Sequence, residues 1–123
     1  MNWASNYVGK RFKDCWDLVR QIYGTEMGVV LPDHASGMVL NVLEIVKKGA
    51  AVVDSGIWRR IPAPLDLCVV ALSRSTLIHH VGVFTEQDGG RIIHAEVDHP
   101  AVAQSVPQMK RHGYKRIDFY VLD

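Results

Sequence analysis

The sequence predicts an α+β domain, with N-terminal helices packed on a mostly antiparallel sheet of about five strands. The hydrophobic period carries that prediction. The first half of the chain has apolar residues at helical spacing, and the second half has short apolar runs and alternation separated by turn signals. Composition agrees: 48% of the 123 residues are hydrophobic and 22% are charged, as in a globule that buries a core without disulfides or a structural metal. No internal repeat, low-complexity tract or Gly/Pro/Ser-rich linker divides residues 1–123, so one domain is expected.

The elements follow in order. Asp14 to Tyr23 reads as a helix, with Asp14 as N-cap, Asp17 three residues on and Gly24 as the expected C-terminal stop. Cys15, Leu18, Val19 and Ile22 fall at i, i+3, i+4 and i+7 and make its apolar face. Ser36 to Lys48 reads as a second helix, with Val39, Val42, Leu43 and Val46 as its stripe and Lys47, Lys48 and Gly49 at its end. Leu31-Pro32-Asp33 marks the loop between them. Leu67 to Leu72 is a continuous apolar run, as in a buried strand. His79 to Thr85 and Arg91 to Val97 read as strands joined through Gln87-Asp88-Gly89-Gly90 as a hairpin. Ala101 to Val106 is a weaker strand signal ended by Pro107, and Arg116 to Leu122 alternates as a final strand.

Charge and segment length exclude several classes. Fourteen Lys and Arg against thirteen Asp and Glu leave a net charge of +1, without the basic excess of a nucleic-acid binder. The longest apolar run is far short of a membrane span. The first residues lack the charged start and apolar run of a signal peptide, so cytoplasmic synthesis is expected. No phosphate-cradling loop or dinucleotide fingerprint is present, and no cofactor is expected.

Two cysteines do not make a disulfide framework, so each needs its own explanation. Cys68 lies in the apolar run Leu67-Cys68-Val69-Val70 and reads as core. Cys15 opens a helix, where the dipole and unpaired N–H groups favour a thiolate, but Asp14 and Asp17 oppose it and a cationic partner is required. An ordinary small core residue is the competing reading of Cys15. Histidines supply a base. His79-His80 and His94 lie on the two hairpin strands, where one imidazole can orient another. His80 and His94 share a face only if the connection has an odd residue count or a bulge, which Asp88-Gly89-Gly90 suits. A metal site would draw on the same histidines together with His99 and His112, yet the spacing fits no zinc signature.

The order of these stretches resembles the NlpC-type family of papain-like cysteine peptidases, which cut bacterial cell-wall peptides. The resemblance rests on Asp14-Cys15-Trp16-Asp17-Leu18-Val19, Pro64-Leu65-Asp66-Leu67, His80-Val81-Gly82-Val83-Phe84 and Ile93-His94-Ala95, and covers residues 7 to 99. The Trp after the cysteine, with Gly24 and Leu31-Pro32 downstream, is similar to the bacteriophage-tail branch. The resemblance implies a papain-like fold, Cys15 as nucleophile, His80 as base, His94 as the residue orienting His80, and Tyr7 near the oxyanion site. It prefers His80 to His79 because His80 directly precedes Val81-Gly82-Val83. It implies a peptidoglycan stem peptide as substrate, other phage tail proteins as partners and a place in a virion tail. The family's Ser-Gly after the cysteine is here Trp16-Asp17, and the Gly of its Gly-Asp-Leu is Leu65, so the substrate groove differs in shape. Two alternatives stand beside the peptidase: a non-catalytic tail-assembly protein on the same fold, and an amide or acyl hydrolase of another small substrate.

Overall fold

Strand order in the sheet follows from how each strand is buried. A computed structural model describes residues 3–31, 58–74 and 80–122. Its six strands are β1 (Trp58–Ile61), β2 (Val69–Ser73), β3 (His80–Thr85), β4 (Arg91–His94), β5 (Val102–Gln104) and β6 (Arg116–Leu122). They pair antiparallel throughout, in the order β1-β6-β2-β3-β4-β5. Every residue of β2 and β3 is buried, as two central strands covered on both faces must be, which is why β2 reads as an unbroken apolar run. The edges are short, and β1 presents exposed Arg59 and Arg60, which discourages further strand pairing.

Alternation divides the core into two layers. Val69, Ala71, Val81, Val83, Ile93 and Tyr120 face helix α1 (Cys15–Met27), which buries Leu18, Val19, Ile22 and Tyr23 against them. Val70, Leu72, Phe84 and Ile92 face the other way and pack with Met109 and Tyr114. Met109 comes from α2 (Val106–Arg111), a helix where the sequence predicts only the end of a strand at Pro107. Ser105 and Gln108 form a reciprocal capping box there, and Pro107 sits in the first turn, where a missing N–H costs nothing.

The helix of the first half starts as expected and ends later. The Asp14 carboxylate accepts the Asp17 N–H at 2.8 Å, and the Asp17 carboxylate accepts the Lys13 N–H at 2.9 Å. Gly24 does not stop α1, which runs to Met27 and ends at Gly28 with φ of 66°. Tertiary anchoring outweighs the roughly 1 kcal/mol that an interior glycine costs. The buried Tyr23 donates its hydroxyl to the Leu67 carbonyl at 2.6 Å, and Glu26 is bound by Tyr7, so both sides of Gly24 are held.

The α+β class stands, with six strands where about five were expected. The extra strand is β1, too short and arginine-rich to show a buried period. The second helix expected at Ser36–Lys48, the Leu31-Pro32-Asp33 loop beyond Leu31, and His79 lie outside the described residues. The strand expected over Arg91–Val97 ends at His94, because the chain turns at Val97 and Asp98, the latter with φ of 66°.

Gly82 lets β3 and β4 close on each other. A Cβ built at Gly82 would lie 2.6 Å from the Ile93 carbonyl oxygen, 2.8 Å from Ile92 Cγ2 and 3.1 Å from His94 Cβ. Gly82→Ala is expected to destabilise the protein by about 1–3 kcal/mol in urea unfolding, as overpacking against backbone does. Wild-type stability in that variant would show that the strands separate freely here.

Candidate active site

The chain between β3 and β4 decides whether two histidines meet. Residues 86–90 connect the strands, and Asp88, Gly89 and Gly90 all have positive φ, at 54°, 80° and 97°. Five is an odd count, so Val83 pairs with Ile93 and residues of like parity share a face. His80 and His94 therefore lie on one side, with Gly82 between His80 and Phe84 letting the His94 Cβ come close to β3. His80 Nε2 and His94 Nδ1 are 2.9 Å apart, and the rings meet edge to face at 86°. Both side chains are buried.

Cys15 reaches the same strand from the opposite layer. It is the first residue of α1, half-buried, and packs against the α1-side core. The Val81 N–H donates toward its sulfur, and the N–H groups of Cys15 and Trp16 also turn toward it. The Cys15 N–H has no carbonyl one turn back, because the helix begins here. The sulfur thus sits at the His80–Val81 peptide. Among the described residues, no hydrogen bond joins the thiol directly to the His80 ring.

Electrostatics keep the resting groups neutral. Burial, the largest influence, pushes the Cys15 thiol above the ordinary cysteine value; the Val81 N–H opposes that and Asp14 adds to it. Burial pushes the His80 imidazole down to about 3, with His94 and the Arg74 guanidinium acting in the same sense. His94 is also lowered, first by burial, while its hydrogen bond to Gln104 acts against the shift. The cationic partner that Cys15 was expected to need is thus a neutral ring at neutral pH.

Tyr7 stands elsewhere than the sequence reading put it. Its hydroxyl donates to Glu26 Oε2 at 2.7 Å. Glu26 lies eleven residues beyond Cys15 on α1, about 16 Å up the helix axis, so the phenol points away from the oxyanion position. The desire of a buried phenol for a strong acceptor decides this contact, which the sequence spacing does not reveal. Cys68 is core as expected, 1% exposed, with its thiol pushed up to about 11 by burial. Asp66 acts as a clip, accepting the Trp3 indole N–H at 3.1 Å and the Glu86 N–H at 2.9 Å.

Three residues around the pair escaped the sequence reading. Tyr114 stacks on His80 with centroids 6.2 Å apart and 17° between planes, and the Arg74 guanidinium lies 4.4 Å over the Tyr114 ring. Gln104 Oε1 is 2.6 Å from His94 Nε2. Gln104 pairs with Ile92 across β4 and β5, a register that the sequence does not show. A cavity of about 320 Å³ opens beside the pair, lined by His94, Gln104, His112, Tyr114, Arg74 and Glu96 among others. Among the described residues, no group of three His, Cys, Asp or Glu side chains is placed to hold a metal ion. Comparison of the chain with protein-family models, curated proteins and solved structures yields no match.

The neutral His80 has a consequence for stability. An unfolded histidine titrates near 6.5, whereas folded His80 resists protonation down to about 3. The unfolded state therefore binds the extra proton in that window. Stability is fully present above pH 6.5 and is lost as pH falls, by up to ~1.4 kcal/mol per pH unit for this ring. Urea unfolding between pH 7 and 4.5 is expected to show that slope, and His80→Gln to lose about one proton's share of it. Equal slopes in the two proteins would mean that His80 is not held neutral.

Proposed function

We propose that this chain is a cysteine peptidase of the NlpC type, with a papain-like fold, acting on peptidoglycan stem peptides as part of a phage or prophage tail. One observation carries the reading: a cysteine at a helix start has its sulfur against the Val81 N–H, and the preceding residue, His80, has its Nε2 held by a second imidazole at 2.9 Å. A nucleophile, a base and an orienting group in that order are what acyl transfer by a thiol requires.

The chemistry runs from neutral partners. His94 occupies Nε2 of His80, so Nδ1 is the ring nitrogen left for the thiol. As the Cys15 sulfur attacks the peptide carbonyl carbon, its proton passes to His80 Nδ1. The Cys15 N–H, unpaired within the helix, donates to the developing oxyanion. The tetrahedral adduct expels the amine, which takes the proton back from His80, and a thioester remains. Water, deprotonated by His80, hydrolyses the thioester and restores the thiol. Burial that raises Cys15 and lowers His80 makes this proton transfer part of the attack, not a pre-formed ion pair.

A second reading is a non-catalytic tail-assembly module, favoured by the raised thiol and by the lack of a direct thiol–imidazole hydrogen bond. Digestion of purified peptidoglycan fragments followed by mass analysis separates the two. Wild-type protein is expected to cleave a stem peptide, Cys15→Ala to be inert, and His80→Ala to lose on the order of 10²–10⁴-fold in rate. Cys68→Ala is expected to stay active. Wild-type protein that is folded but leaves every fragment intact favours the assembly module, and loss of activity in Cys68→Ala alone would displace Cys15 as nucleophile.

A further inference from the structure

The hydrogen-bonded chain does not end at His94. His94 Nε2 lies 2.6 Å from Gln104 Oε1, and Gln104 Nε2 lies 3.1 Å from His112 Nε2. Gln104 is half-buried on β5, and His112 is exposed at the C-terminal cap of α2. The His112 backbone N–H bonds to the last carbonyls of α2, including those of Gln108 and Met109. The far end of the chain is thus anchored by a helix that Ser105 and Gln108 cap and Met109 ties into the core.

Each link allows only one direction of donation once the amide orientation is set. An amide oxygen only accepts, so His94 must present Nε2–H to Gln104. A neutral imidazole then has its lone pair on Nδ1, so His94 Nδ1 accepts and His80 Nε2–H donates. The lone pair of His80 is left on Nδ1, the nitrogen a thiol proton needs. The Gln104 amide nitrogen only donates, so in this orientation His112 presents the lone pair of its Nε2 to it. Turning the amide over reverses every link. His94 Nε2 would accept, His94 Nδ1–H would donate, and His80 would carry its proton on Nδ1, where it could not act as base.

We propose that Gln104, hydrogen-bonded to His112 through its amide nitrogen, is a positioning residue for the Cys15–His80 site: its side-chain oxygen fixes the tautomer of His94 and through it places the lone pair of His80 on Nδ1. The inference rests on reading Cys15 and His80 as nucleophile and base, but the tautomers can be measured without substrate. Both rings are kept neutral by burial, so each has a tautomer to fix.

The test is nitrogen-15 NMR of the histidine rings at pH 7 in the full chain, for wild type, Gln104→Leu and Gln104→Glu, with turnover on a cleaved stem peptide measured alongside. Leucine keeps the size and removes the acceptor, while a carboxylate can only accept. Wild type is expected to show His80 and His94 each protonated on Nε2 alone. Gln104→Leu is expected to show mixed tautomers in both rings, with kcat lower by on the order of 10²-fold and KM little changed. Gln104→Glu is expected to restore the wild-type ring pattern and most of kcat. An unchanged ring pattern in Gln104→Leu, or wild-type rings protonated on Nδ1, overturns the proposal. If the ring patterns come out as expected while wild-type protein cleaves nothing, the tautomer relay is supported and the peptidase reading is what fails.

Discussion

The hydrogen bond between His80 and His94 exists because an odd number of residues joins their strands. A two-residue turn at Asp88-Gly89 would set Gly82 against Ala95 and put the histidines on opposite faces. The five-residue connection, with three successive positive-φ positions, keeps them on one face. Gly82 then has to be a glycine, because the Ile93 carbonyl, the Ile92 side chain and the His94 Cβ fill the space its side chain would take. Much else follows from this register. It leaves the His80 ring free to stack on Tyr114, while the pairing of β5 on β4 brings Gln104 level with Ile92, within reach of His94.

The same geometry sets the electrostatic character of the site. Two imidazoles that face each other under a protein layer cannot both be charged, and burial makes even one charge costly. The result is a low-dielectric site whose thiol and rings rest neutral. In such a site direction of donation matters more than charge, because a neutral imidazole has one donor and one acceptor and a neighbour chooses which is which. A polar chain running from α2 through β5 and β4 to β3 is a means of making that choice from the well-capped side of the fold.

The helix and the histidine pair lie on opposite faces of the sheet, whose central strands are β2 and β3. Cys15 does not cross the sheet. It meets β3 at its starting end, where the Val81 N–H points to the sulfur and the preceding residue, His80, turns its ring to the opposite layer. The site therefore straddles the end of a strand, not the middle of a face. That arrangement ties the position of Cys15 to the packing of Leu18, Val19 and Ile22 beneath the helix.

Local chemistry made a good part of this legible from residues alone. Asp14 and Asp17 specify the start of α1 through their own carboxylates, and the apolar run around Val69 and Val70 specifies a buried strand, because caps and burial act within a few residues. The sequence likewise determined that His80 and His94 can meet only through an odd or bulged connection, since strand parity is arithmetic. Where contacts join distant segments, the tertiary structure decided. Tyr23 and Glu26 carry α1 past Gly24 through partners elsewhere in the chain, and Glu26 draws Tyr7 away from Cys15. Gln104, His112 and Tyr114 join the site through strand register and a capped helix, neither of which leaves a local motif. Whether the thiol and imidazole rest charged or neutral was decided in the same way, because desolvation depends on everything that packs over a group and not on its neighbours in sequence.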